Sequence, residues 1–123
     1  MSDELKKLLS NDTDGLMTYE YIANHINDID PVIDMLIDQM ISVDMNGQFL
    51  VSAARYLSAI DKDKYHEGIS RLIAAAIDKD REHKYIGDLL TLWGNDYESR
   101  LDELNATDNN FRRIYKRLFP TSI

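Results

Sequence analysis

Three aspartates at four-residue spacing form the first set of side chains whose arrangement suggests a binding site. Asp30, Asp34 and Asp38 fall on one face of a predicted helix that contains no Lys or Arg. Like charges at this spacing cost about 0.2–0.5 kcal/mol per pair in an isolated helix. We interpret the stripe either as a tolerated solvent face or as a contact strip for a basic partner.

A second charged set lies near the end of the chain. Four bases there surround an apolar stripe: the bases are Arg112, Arg113, Lys116 and Arg117, and the stripe is Phe111, Ile114, Tyr115 and Leu118. A basic amphipathic helix can lie on a membrane or on nucleic acid. At the end of an acidic chain we instead expect it to dock on the body by its apolar stripe and to pair with acids of residues 8–54.

Side chains that could support catalysis or metal binding do not converge in the sequence. His25, His66 and His83 fall on different predicted helices, and none has a second ligand three or four residues away, as a metal site would need. A calcium-like loop has Ser10 at its first position and Tyr21 where a bidentate Glu is required. The chain has no Cys, no Gly-rich phosphate loop and no nucleophile motif. We therefore predict a non-enzymatic protein without a metal or cofactor.

Charge is distributed unevenly along the 123 residues, whose formal net charge is −8. Residues 8–54 hold eight acids and no Lys or Arg, whereas the residues from Asp108 onwards hold one acid and four bases. An acidic body disfavours duplex DNA, because phosphate neutralisation supplies most of the affinity there. Residues 18–40 have the apolar spacing of a helix-turn-helix, but the outer face of its second helix carries Asp34 and Asp38. This charge argues against DNA binding.

The bulk composition predicts one cytoplasmic globular domain over residues 1–123. Hydrophobic residues make up 44% of the chain and charged residues 29%, with two prolines and five glycines. The N-terminal residues lack the apolar segment of a signal peptide. Since no run approaches the roughly 18 apolar residues of a transmembrane helix, we expect no membrane span.

The elements that must position these side chains follow from a stretch that appears twice. Residues 33–57 align with residues 69–93 at a shift of 36, which places apolar residues on apolar residues and Asp44 on Asp80. A period of this size is typical of αα-hairpin repeats, whose helices bury their apolar faces by stacking. The aligned positions predict that four side chains are buried: Leu36, Phe49, Leu72 and Trp93.

Turn and capping signals divide the chain into about seven helices, and no period-2 run is long enough for a strand. Residues 2–9 form a short amphipathic start. The seven predicted helices span residues 18–26 (with Thr18 as N-cap), 31–42, 48–60, 66–77, 82–93, 97–104 and 110–119. The predicted fold class is all-α, with stacked helix pairs that form either a short αα-superhelix or a compact bundle. An αα repeat at about 31–60 and 66–94 is followed by a basic C-terminal helix at 109–119.

The doubled unit resembles a HEAT-type repeat over about residues 31–93. The likeness lies in Pro31 at the first helical position, an acid at the turn, and an aromatic and two apolar residues at the following offsets: Asp44, Phe49, Ala53 and Leu57. The second unit has no proline. The resemblance implies a curved stack of helix pairs that binds partners, and a compact bundle with an internal duplication is the alternative.

If the pairs stack as in such an array, the second helix of each unit lines the inner face. Its outward residues would then be neighbours on a mixed polar surface: Gln48, Ser52, Arg55, Lys84, Asp88 and Thr91. Together with the aspartate stripe, these residues are the predicted partner-binding set.

The predicted function is a protein-protein interaction module or adaptor that binds a basic partner through an acidic helical surface. One alternative is an acidic inhibitor of the immunity-protein type, which blocks a basic partner. Another is a transcription-related protein that uses residues 18–40 or the basic tail. The sequence leaves open a homo-oligomer.

Overall fold

The computed structural model describes residues 3–120, which form helices joined by short links. These residues contain seven α-helices, three 3-10 helices and no strand. The α-helices are α1 (Asp3–Asn11), α2 (Leu16–Asn24), α3 (Ile33–Val43), α4 (Gln48–Asp61), α5 (His66–Lys79), α6 (Leu101–Thr107) and α7 (Asn109–Leu118). The 3-10 helices are Asp30–Val32, Ile86–Trp93 (the long 3-10 helix) and Tyr97–Arg100. The prediction of an all-α fold with about seven helices is confirmed.

A buried carboxylate, that of Asp44, builds the turn from which α4 starts. One of its oxygens accepts the N–H groups of Asn46 and Gly47 at 3.1 and 2.9 Å. The other accepts the N–H groups of Phe49 and Leu50, each at 2.9 Å. The first N–H groups of a helix have no intrahelical partner, so a side-chain acceptor stabilises the helix start. The Asp44 side chain therefore accepts hydrogen bonds both from the backbone N–H groups of the loop before α4 and from those of the first turn of α4 itself.

The same arrangement occurs at two more buried aspartates, Asp12 and Asp80. In each case one carboxylate oxygen accepts the N–H of the residue six positions later, that of Thr18 or Ile86, at 2.8 Å. The three aspartates lie 32 and 36 residues apart. An aspartate turn therefore precedes each of α2, α4 and the long 3-10 helix, and we call the residues from one such turn to the next a unit.

The residue three positions after each of these aspartates adopts a left-handed backbone conformation. Its φ is 102° at Gly15, 89° at Gly47 and 57° at His83. Glycine reaches this region without steric cost, whereas a histidine Cβ is crowded there. The third unit thus keeps the shape of the turn with a residue less suited to it.

The three turns pack directly on one another. A Cβ on Gly15 would lie 3.3 Å from the Cβ of Phe49 and 3.4 Å from that of Asp44. A Cβ on Gly47 would lie 3.2 Å from the Cβ of Asp80. Each turn therefore approaches the next closely through its glycine, and we call this arrangement the turn column. The column brings together the helices that follow the turns, since α2 contacts α4 and α4 contacts the long 3-10 helix.

The outer helices complete the stack, with α5 at its centre. This helix packs against α3, α4, the long 3-10 helix and α7, whereas α1 packs against α2 and α6 against α7. The buried apolar residues form one cluster that extends from Leu5 to Ile114. One continuous apolar core therefore joins the helices that follow the successive aspartate turns.

Two of the four predicted core positions differ from expectation. Leu36 and Leu72 are fully buried, as predicted, but Phe49 and Trp93 are only half-buried. Phe49 lies against Gly15 at the edge of the turn column. The indole N–H of Trp93 requires an acceptor, and such aromatic side chains commonly keep one end at the surface.

Two predicted helix starts are wrong, and the aspartate turns explain both. Thr18 lies inside α2 rather than at its N-cap, because both its N–H and its hydroxyl donate to Asp12. The helix predicted from residue 82 begins only at Ile86, because Asp80 accepts the N–H groups of the preceding residues, Lys84 and Tyr85.

The basic C-terminal helix docks by its apolar stripe, as predicted, with Phe111 and Ile114 fully buried. It packs against α5, α6 and the long 3-10 helix, elements that lie outside residues 8–54. The prediction that its bases meet the acids of residues 8–54 is wrong. No ion pair within residues 3–120 involves any of the four bases, Arg112, Arg113, Lys116 and Arg117.

Candidate interaction surface

A groove runs along α4 beside the long 3-10 helix. Two adjoining depressions of about 590 and 410 Å³ share four residues of their walls, Arg55, Ala59, Thr91 and Leu92. The larger one also includes Lys62 and Trp93, and the buried Ile69 and Ile73 line it as well. We call the two depressions together the α4 groove. It combines an apolar floor with polar and charged walls, which is the usual composition of a ligand or peptide site.

Trp93 is held in place on the wall of this groove by three neighbours. Its indole N–H donates to a carboxylate oxygen of Asp108 at 2.7 Å. Its ring meets that of Phe111 edge-on, with the ring centroids 5.2 Å apart. The guanidinium group of Arg100 donates to its carbonyl oxygen. A half-buried aromatic side chain that is already ordered can anchor a partner at low entropic cost.

Two exposed cations line the groove, Arg55 from α4 and Lys62 from its C-cap. Within residues 3–120 neither makes an ion pair or a side-chain hydrogen bond. The groove wall also contains two acids. Asp63 is exposed, and Asp108 is occupied, since its oxygens accept the N–H of Trp93 and the backbone N–H of Phe111. Arg100, a third cation of the wall, pairs with Asp96, whereas Arg55 and Lys62 have no such partner in the described part of the chain.

The aspartate stripe on α3 and the preceding 3-10 helix is largely occupied by partners from the next unit. Asp30 accepts an ion-paired hydrogen bond from Lys64 at 2.6 Å and one from the hydroxyl of Tyr65 at 2.8 Å. The Lys64 bond, and then the Tyr65 bond, lower the pKa of Asp30. Asp38 pairs with Arg71 of α5, and Asp34 is exposed. Two of the three aspartates thus join one unit to the next.

Five of the six residues predicted to share an inner face lie on the α4 groove or next to it. Ser52, Arg55 and Thr91 line the smaller depression. Gln48 lies one helical turn before Ser52, and Asp88 lies three residues before Thr91; both are exposed. The predicted set therefore has a compact centre formed by α4 and the long 3-10 helix.

Lys84, the sixth residue, lies beside the turn column instead. It lines a separate depression of about 620 Å³ together with Met45 and Tyr85. Its ammonium group pairs with Glu82 at 2.9 Å, which raises the pKa of Lys84. Met45 is 77% exposed, so this depression has an apolar rim.

The described residues bring no metal-binding cluster together. Within residues 3–120 no group of three or more His, Asp or Glu side chains could hold a metal ion. His25 stacks on Tyr21, with ring centroids 4.0 Å apart, whereas His66 lines the α4 groove and His83 lies in the third turn. No helix in this part of the chain is both long enough and apolar enough to span a bilayer.

Sequence reasoning missed Lys62, Leu92 and Trp93 as surface residues of the groove. The seven-residue spacing of Arg55 and Lys62 was an available signal, because residues at this spacing on helical backbone share a face, and Lys62 caps α4 in a helical conformation. Trp93 was assigned to the core from the repeat alignment, and its acceptor Asp108 lies 15 residues further along the chain.

Comparisons with family models, with curated proteins and with solved structures give no match to this chain.

Proposed function

We propose that this chain is a non-enzymatic protein-protein interaction module, an adaptor, that binds its partner in the α4 groove. The observation that carries this proposal is a concave surface with a fixed, half-buried Trp93 and two unpaired cations. Repeats built from a turn and two helices bury their cores between neighbours and leave one extended face for binding. The turn column provides such a scaffold, because it orders the helices that form this face.

The contact residues have their centre at Ser52, Arg55 and Thr91, with Gln48 and Asp88 at the margins. The aspartate stripe contributes less to this surface than its charge implies, because Asp30 and Asp38 are bound to bases of the following unit. The proposal places this adaptor in the cytoplasm, in keeping with a chain that contains no cysteine.

A second candidate function, an acidic inhibitor of a basic partner, is favoured by one observation. Four exposed acids of residues 8–54 make no ion pair within residues 3–120: Asp14, Glu20, Asp28 and Asp34. An inhibitor of this kind would use the acidic end of the molecule rather than the α4 groove, so variants of the groove distinguish the two functions.

The experiment compares partner capture by the wild-type protein with capture by a groove variant. Ser52→Gln with Thr91→Gln adds neutral bulk to the groove wall, and Ser42→Gln with Thr107→Gln adds the same bulk at exposed positions outside it. We expect one partner to be retained by the wild type and by the control variant and to be lost from the groove variant. Binding of the purified partner is then measured by calorimetry.

Two outcomes would contradict the proposal. Equal retention of the partner by both variants would move the contact surface away from the groove, and loss of binding after substitution of Asp28 and Asp34 by Asn would favour the inhibitor. Failure of the wild-type protein to retain any partner from the source lysate would argue against an interaction module.

A further inference from the structure

The α4 groove also has features that specify the chemistry of its ligand. We infer that it binds a short, extended, acidic segment of a partner protein, with one apolar side chain against Trp93 and a carboxylate at each of Arg55 and Lys62. This inference rests on the proposed function and adds the charge and the spacing of the ligand's side chains. The acidic charge of this ligand is opposite to that of the basic partner predicted from the sequence.

The charge of the groove favours an acidic ligand. Within residues 3–120 four Lys or Arg residues make an ion pair, among them Lys64 and Arg71, which pair with acids of the preceding unit. Arg55 and Lys62, which face the groove, find none within residues 3–120. Their donors remain available to a ligand, and charged groups across an interface favour a partner of opposite sign.

Arg55 and Lys62 are seven positions apart, and Lys62 continues the helical backbone as the C-cap of α4. This spacing brings the two side chains to the same face, about 10.5 Å apart along the helix axis. A peptide in the extended polyproline II conformation has three residues per turn and advances about 3.1 Å per residue, so acidic residues three positions apart lie on one face and span about 9 Å. A ligand with the pattern acid, apolar, any residue, acid would therefore place one carboxylate near each cation.

An apolar wall lies on the side of the groove formed by the long 3-10 helix. Leu92 and Trp93 are half-buried, and Ile73 forms part of the floor. Since Asp108, Phe111 and Arg100 fix Trp93, the wall is already formed before a ligand arrives. An apolar side chain between two acids of the ligand can pack here, and buried aromatic anchors of this kind supply most of the affinity in many interfaces.

A protein segment fits the groove better than a nucleic acid or an anionic membrane does. The chain carries a net charge of −8, which repels extended polyanions whose many charges lie outside the groove. Screening limits the repulsion to about 8 Å at physiological ionic strength, so a segment with two or three acids is governed by the local cations instead.

The test uses Trp93, the only tryptophan of the chain, as the probe. Three eight-residue peptides are compared, identical except that the core is Glu-Leu-Gly-Glu, Gln-Leu-Gly-Gln or Lys-Leu-Gly-Lys. We expect only the acidic peptide to give a saturable change in Trp93 emission, and a weaker affinity as salt is raised.

Two double variants locate the effect. Arg55→Glu with Lys62→Glu should weaken binding of the acidic peptide by about tenfold or more, because it replaces attraction by repulsion at the contact. Arg113→Glu with Lys116→Glu changes the net charge equally on the exposed side of α7 and should weaken binding by less than about threefold, since it acts only at long range. Circular dichroism confirms that both variants are folded.

Every other outcome overturns the inference. Equal weakening by the two variants would show general charge attraction rather than a groove. Equal binding of the neutral or basic peptide would contradict the acidic ligand but not the proposed interaction module. If no peptide changes the emission of Trp93, the acidic segment is wrong, and the capture experiment with the Ser52 and Thr91 variant still decides the proposed function independently.

Discussion

Each of the buried carboxylates Asp12, Asp44 and Asp80 accepts backbone N–H groups from the start of the following helix. A buried charge is costly unless hydrogen bonds replace the lost water, and two carboxylate oxygens can accept several donors at once. In the described part of the chain no buried side-chain nitrogen or oxygen lacks a hydrogen-bond partner. These aspartates are therefore structural groups that fix the turns.

The first prediction concerns Asp44. Replacing it by Ala leaves the N–H groups of Gly47 and Leu50, among others, without their acceptor, and each unsatisfied buried group costs about 1–3 kcal/mol. We expect Asp44→Ala to lower the free energy of unfolding in urea by about 2 kcal/mol or more. The exposed Asp34→Ala serves as control and should change it by less than about 0.5 kcal/mol. Equal effects of the two substitutions would contradict the structural role of Asp44.

The second prediction concerns the pH dependence contributed by Asp12. Burial raises the pKa of this carboxyl, but hydrogen bonds from Thr18, Gly15 and Asp14 outweigh it, so the pKa lies below its ordinary value of 3.8. The carboxylate therefore stabilises the fold fully above the unfolded-state pKa, and this stabilisation is lost as pH falls through the folded-state pKa.

Urea unfolding at several pH values tests this expectation by comparison with Asp12→Asn, which does not titrate. We expect the wild type to be more stable than the variant at pH 6, and the difference to shrink progressively below the ordinary pKa of 3.8. A difference that stays constant or grows on acidification would show that Asp12 is not stabilised as a carboxylate.

At the scale of elements, the turn column decides which helices are neighbours. Gly15 and Gly47 allow each turn to approach the next, and both have a φ that other residues adopt only with strain. His83 takes the same position in the third turn, the last of the column. The column therefore requires glycine in its first two turns, because each of them has the next turn packed closely against it.

The third prediction compares two glycines with different surroundings. Gly47→Ala should destabilise the protein by at least about 1–2 kcal/mol, because it combines a left-handed φ with a Cβ 3.2 Å from that of Asp80. A Cβ on Gly87 would meet no atom within 4 Å, and the φ of Gly87 is not positive, so Gly87→Ala should be neutral or stabilising by up to about 1 kcal/mol. Thermal unfolding of both variants measures the difference, and equal melting temperatures would rule out the close packing of the turns.

Apolar spacing was enough to predict α4 and α5, whose observed starts at Gln48 and His66 agree with the predicted ones. The correspondence of Asp44 and Asp80 was also visible in the sequence. Asp12 was missed as the third member because its interval is 32 residues rather than 36, although Asp12 and Asp44 are both followed by glycine three residues later. A search for that local pattern, rather than for a constant period, would have found it.

The candidate site was less accessible to sequence reasoning than the helices. Ser52, Arg55 and Thr91 line one depression, and the repeat alignment had placed them on equivalent helices. The position of Trp93 depends on contacts with Asp108 and Phe111, which come from a later helix. The ion pair between Asp38 and Arg71 likewise connects residues 33 positions apart. Contacts between residues so distant in sequence leave no periodic pattern from which they could be predicted.

At the scale of the whole molecule, α5 occupies the centre and α1 one end. Because α5 contacts four other elements and α1 packs mainly on α2, local opening should be easiest at α1 and rarest at α5. The fourth prediction is that amide hydrogens of residues in α5, such as Leu72 and Ile73, exchange slowest and that those of α1 exchange fastest. Hydrogen exchange measured by NMR tests this order. Protection of α1 equal to that of α5 would indicate a single cooperative bundle instead of a stack.

The position of α7 separates charge along the molecule. Its four bases make no ion pair within residues 3–120, while residues 8–54 hold eight acids and no base. Such a molecule is an electric dipole, and a charged partner exerts a torque on it before the two surfaces touch. Screening confines this torque to roughly the last nanometre of approach at physiological ionic strength. Collisions with an acidic partner should therefore begin with the end that carries α7 turned towards it.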